Sequence, residues 1–156
     1  MVEDKNEFAI EQLNSFLKGI YMSLDAFKVY EEKAKNPNLK HSFREVLPIF
    51  ESQKNILTSY IKELGGEPKG SLGIGGEVVN AFEKMKELFM ARDYELLDSA
   101  IKGMDMGIKS GLKVISELEE IDIKESIING LKDLIKEYEK IHSNLNLLYK
   151  EPSIHD

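Results

Sequence analysis

Apolar residues recur along this chain at intervals of three and four, the spacing of one helix face. No strand-like alternation of useful length interrupts them. At 100° per residue, Leu13, Phe16, Leu17, Ile20, Leu24 and Phe27 fall within about 100° of one another, which predicts a first helix over about residues 6–35. Asn36-Pro37 then offers an N-cap and a proline at the first helical position, so a second helix over about 37–64 follows almost at once. A link that short makes the two helices antiparallel neighbours. The second carries Leu39, Phe43, Val46, Leu47, Phe50, Leu57, Ile61 and Leu64 on one face. Pro48 inside it predicts a kink, and Lys54, which points toward the stripe, is expected to snorkel outward at its edge.

The stretch Glu63–Gly76 breaks the pattern. Gly65-Gly66 stops a helix because glycine adopts positive φ without a Cβ penalty, and Pro68 forbids continuation. A shorter helix is expected over about 77–90. Ala91-Arg92-Asp93 reads as a joint, with Asp93 as N-cap of a helix over about 94–119. Leu97, Ala100, Ile101, Met104, Ile108, Gly111, Ile115 and Leu118 point inward from it. The alternative is one continuous helix over 77–119, which the joint weighs against. Asp122 with Glu125 three residues on is a capping-box variant opening a last helix over about 123–149. Its stripe is Ile127, Leu131, Leu134, Ile135, Tyr138, Ile141, Leu145 and Tyr149. The tail from Glu151-Pro152 is expected to fray.

Two short links and one long one make this an all-α protein. The arrangement is a ferritin-like four-helix bundle with one long crossover containing a short extra helix, in a single domain over 1–156. An up-down-up-down bundle needs no such crossover.

Charge narrows the function classes. A formal net charge of −7 argues against nucleic acid, whose binding needs clustered cations, and the lysines here alternate with glutamates. Nothing resembles a signal peptide or a membrane span, so a cytoplasmic location is expected. The absence of cysteine excludes disulfides and thiolate chemistry.

The turns and caps resemble those of a known family. Leu13-Asn14, Asn36-Pro37 followed by Leu39-Lys40, and Glu63-Leu64-Gly65-Gly66-Glu67-Pro68 then Gly70-Ser71 are similar to an uncharacterised bacterial ferritin-like four-helix-bundle family. That family is marked by a Leu-Gly-Gly-x-Pro break after the second helix. The resemblance runs from about residue 10 to 149 and implies the fold but no substrate. Such families tend to carry Gly-Glu-Asp in the middle of the third long helix, where this chain has Gly103-Met104-Asp105.

A ferritin-like di-iron site needs a carboxylate from each of two helices and Glu-x-x-His from each of the other two. The last helix offers Glu139 and His142 in that spacing. The second offers Phe50-Glu51-Ser52-Gln53 with no histidine, and Ile20 and Met104 stand where ligands would be needed. Glu139, His142 and Asp105 are therefore the candidate metal residues of an alternative reading, a di-iron-type metal-binding protein or oxidase remnant using iron or another divalent metal. The leading expectation is a non-enzymatic bundle without cofactor that acts in structural or stress-associated protein interaction, as a homodimer or with a protein partner. Gly103, Gly107 and Gly111 support it. Each interior glycine costs on the order of 1 kcal/mol against alanine, so three spaced by four call for close helix packing or a partner groove. A carrier for an apolar ligand beside these glycines is a third reading. The glycine-rich break lacks Gly-Lys-Ser/Thr and follows no strand, so it is not a phosphate cradle. His41, His142 and His155 form no Ser-His-acid constellation.

Overall fold

The computed structural model describes residues 2–69 and 91–156. Within them lie α1 (Val2–Lys33), α2 (Pro37–Glu63), α3 (Asp93–Glu120) and α4 (Glu125–Tyr149), with a short 3₁₀ turn at Pro152–His155. The helix expected over 77–90 lies outside the described residues.

α1 buries Ala9, Leu13, Phe16, Leu17, Ile20, Leu24, Phe27 and Tyr30 along one stripe. α2 faces it with Leu39, Phe43, Val46, Phe50, Gln53, Leu57 and Ile61. Phe43 and Phe50 are fully buried, and each contributes on the order of 1.5–3 kcal/mol by leaving water. Phe27 packs edge-on to both rings, at 5.7 and 5.2 Å between centroids. Asn36 caps α2, its side chain accepting the N–H groups of Asn38 and Leu39 at 2.9 and 3.2 Å. Pro48 lies on the exposed side and the helix continues through it.

α2 ends in a Schellman motif. Gly65, at φ +88°, donates to Lys62 O and Gly66 to Ile61 O, which satisfies carbonyls the last turn leaves open. Asn14 of α1 then holds the departing chain. Its carboxamide donates to Glu67 O at 3.2 Å and accepts the Lys69 N–H at 2.9 Å.

Two contacts place the halves relative to each other. At one end the Asp93 carboxylate accepts the backbone N–H groups of Lys35 and Asn36, tying the start of α3 to the α1–α2 turn. At the other, Lys124 pairs with Glu63 at 2.7 Å, tying the α3–α4 link to the end of α2. α3 therefore begins at the end of the bundle opposite to where α2 stops. α1 packs on α2 and α3, and α4 on α3 and α2. This is the ferritin-like four-helix arrangement, with every neighbouring pair antiparallel.

Three local expectations are corrected. Asp93 is not an N-cap. Arg92 is, in extended backbone, with Glu95 Oε1 accepting its N–H at 3.1 Å, and Asp93 serves the α1–α2 turn instead. Asp122 does not open α4 either. It sits at φ +57°, a conformation aspartate tolerates better than most residues, and the N-cap is Lys124. The tail does not fray: Ile154 is 1% exposed, and His155 lies between Tyr94 and Tyr149 while its Nε2 donates to Tyr149 O at 2.7 Å.

Candidate functional site

The level of the bundle where the sequence sets Ile20, Gln53, Met104 and His142 against one another is where a metal centre would be built. α1 brings Phe16 and Ile20 there, α2 Phe50 and Gln53, and α3 Met104, which is 1% exposed. α4 sends Tyr138 across the core. Its ring stacks on Phe16 with centroids 6.1 Å apart and meets Phe50 edge-on at 5.8 Å. Burial pushes the Tyr138 phenol well above its ordinary range, and a hydrogen bond with Ser23 partly counters this.

Two glycines of α3 make room for these rings. A Cβ on Gly107 would stand 2.8 Å from the Tyr138 ring, and one on Gly111 would overlap Ile135 and come within 2.6 Å of Phe16. Gly103 does not share this role: it is exposed, with open space where a Cβ would go. The regular spacing in sequence thus joins two packing positions to one surface position. Met106, three residues on, is 70% exposed.

The candidate metal residues do not come together into a ligand set. Glu139 is exposed. His142 is half-buried, its Nδ1 accepting from Asn146 Nδ2 at 3.2 Å. Asp105 pairs with Lys109 at 2.9 Å on its own helix. Among the described residues no group of three His, Asp or Glu side chains is placed to hold a metal ion. The buried donors at this level are one amide, one phenol and one thioether, with His142 half-buried and the carboxylates of Glu137 and Glu139 exposed, which does not fit a di-iron centre that needs hard carboxylate oxygens converging in the core.

Local spacing does not reveal the contact between α2 and α4 at this level. Gln53 is fully buried, and its Nε2 donates to Glu137 Oε1 at 3.3 Å. Nearby, Lys54 bonds Glu51 and hangs 5.9 Å over the Tyr21 ring; this bond holds the Glu51 carboxyl below and the Lys54 ammonium above their ordinary values. At the end of the bundle an open cleft of about 500 Å³ is lined by Lys35, Asn36, Arg92, Asp93, Ser153 and Asp156. Its two cations face two carboxylates, so it carries no net sign.

Comparison with known proteins agrees with the architecture. The profile of a family described as a Domain of unknown function (DUF2383) matches residues 8–117. No curated protein matches the chain. Among solved structures, the chain is similar to ferritin-like, diiron-carboxylate proteins from Bacillus anthracis at 18% identity and a TM-score of 0.72, over 94% of this chain and 98% of that one. It is also similar to a two-domain protein from Anabaena variabilis containing DJ-1/ThiJ/PfpI-like and ferritin-like domains. There the identity is 23% and the TM-score 0.70, over 93% of this chain and 40% of that one. At these identities the likeness concerns the fold alone. No helix among the described residues is long and apolar enough to cross a membrane.

Proposed function

The chain belongs to the DUF2383 family, and we propose that it acts by protein contact, as a ferritin-like bundle that has exchanged the metal layer for an aromatic core. One observation carries the reading: Tyr138, Phe16 and Phe50 fill the level at which the fold would gather carboxylates, with Gly107 and Gly111 shaped around the rings. A core so filled leaves the surface to act. The surface position favoured here is Gly103 with Met106 on α3, a bare backbone patch beside an exposed thioether. The simplest occupant is a second copy of the chain.

Analytical ultracentrifugation of the wild type and of Met106→Glu tests it. A dimer that the substitution dissociates supports the reading, whereas a wild-type monomer at high micromolar concentration overturns self-association. The diiron-carboxylate description of the Bacillus anthracis proteins keeps a metal reading in view for Glu139, His142 and Asp105. Metal analysis after growth in iron-supplemented medium separates the two. The contact reading expects below about 0.1 equivalent, and near-stoichiometric metal that falls in His142→Ala would establish the other.

A further inference from the structure

The outer face of α3 carries a row formed by Glu95, Ser99, Gly103, Met106, Ser110 and Lys113. At 3.6 residues per turn these fall within about 80° of one another. All are exposed except Ser99, which is half-buried. Met106 projects from the row at 70% exposure. Gly103 beside it leaves a notch, where among the described residues nothing lies within 4 Å of an added Cβ. The row lies toward α4, next to Gly107 and its contact with Tyr138. Lys69 and Asp93, on either side of residues 70–90, are held instead by Asn14 of α1 and by the α1–α2 turn.

Each half of the row complements the other half reversed. Turned about a point between Met104 and Asp105, the row sets Gly103 opposite Met106 and Ser99 opposite Ser110, and brings Glu95 within one residue of Lys113. A thioether then meets bare backbone, two small hydroxyls let the helices approach, and a carboxylate faces an ammonium. Arg92 and Glu117, further out, fall opposite each other in the same register. Lys113 is 77% exposed and reaches Glu117 of its own helix only at 4.0 Å, which leaves its charge available. A parallel alignment would put each residue on its own copy, Glu95 on Glu95 and Lys113 on Lys113, and like charges so placed are unfavourable. Charge selects the antiparallel direction.

We propose that two copies of the chain pair through α3 in antiparallel fashion about a two-fold axis, with Met106 of each seated in the Gly103 notch of the other. This rests on the self-association reading above and gives it a face, a direction and a register. A contact of this kind uses the same patch on both copies and closes on itself, so assembly stops at the dimer. The flanking ion pairs fix the register more than they add affinity.

The chain has no cysteine, so disulfide cross-linking reads the register directly. Ser99→Cys and Ser110→Cys, mixed, allowed to exchange and mildly oxidised, should give a linked dimer holding one copy of each. Either variant alone should not link. On one helix the two positions lie about 16 Å apart, too far for a bond within a chain. Mass spectrometry identifies the linked pair. Gly103→Leu fills the notch but meets open space in the single chain. It should weaken dimerisation about tenfold or more in sedimentation while leaving the circular dichroism spectrum unchanged. A wild-type monomer overturns self-association and this pairing together. Given a wild-type dimer, a mixture that does not link, a variant that links to itself, or a Gly103→Leu protein that pairs normally overturns the pairing alone.

Discussion

The Asp93 carboxylate accepts the backbone N–H of Asn36 at 2.8 Å, across 57 residues of chain. With the Lys35 N–H at 2.9 Å it takes two donors that the α1–α2 turn would otherwise leave to solvent. Asp93→Ala should therefore cost about 1–2 kcal/mol, comparable to losing a helix cap, and lower the melting temperature by several degrees. Asp93→Asn should recover part of the loss. Thermal denaturation followed by circular dichroism measures both. Equal losses in the two variants would contradict the bonding.

Asn14 makes a second prediction. It is 8% exposed and holds both Glu67 O and the Lys69 N–H. Asn14→Ala should destabilise by about 1–3 kcal/mol in urea unfolding, because two backbone groups lose their partner. Asn14→Asp keeps the bond to Lys69 N–H but sets a carboxylate oxygen against the Glu67 carbonyl, so the midpoint should fall between wild type and Asn14→Ala.

These two residues mark how far local sequence reaches. The apolar stripes are legible because each helix face repeats within a few residues, and Leu13, Phe43 and Leu131 are buried as their spacing implies. Asn14 and Asp93 have partners more than 50 residues away, and nothing in their own neighbourhoods points there. Read locally, Asp93 before a helical run is an N-cap. In the fold a distant turn competes for its carboxylate and wins. Ile154 was illegible for another reason, since a single apolar residue in a polar tail has no period to betray it. At the core level, Ile20 and Met104 already spoke against hard metal ligands. The fit of Tyr138 into Gly107 requires knowing which helices meet.

The three glycines of α3 should separate in mutagenesis. Gly103→Ala removes backbone entropy from the unfolded chain and meets open space, so it should stabilise by about 0.5–1 kcal/mol. Gly107→Ala and Gly111→Ala push a methyl group into Tyr138 and into Ile135 and Phe16, and should destabilise by about 1–3 kcal/mol. Urea midpoints of the three variants provide the check. A uniform gain would mean that α3 stands further from α4 than described.

Alkaline pH should expose the buried phenols. Burial raises Tyr138 and Tyr30 above their ordinary value, and burial followed by Asp133 and Glu63 raises Tyr60. A group raised in the folded state contributes stability that is complete below its unfolded value, near 10, and is lost as pH climbs above it. Stability should therefore be insensitive to these groups at neutral pH and fall above about pH 10. Tyr138→Phe should fall less steeply over the same range. Chemical denaturation at pH 7, 9 and 11 tests the slope; identical slopes in both proteins would remove Tyr138 from the account.

Asn14 and the Lys35-Asn36 turn belong to the first stretch of chain and its immediate exit, yet between them they fix both ends of the passage from α2 to α3. The α1–α2 pair is local and can close early, whereas the contacts of α1 with α3 wait on a large loop closure. Helix α1 with its turn is thus a template that decides where the second half of the molecule lands. Damage to the template should slow refolding, and damage within the α3–α4 pair should mainly hasten unfolding.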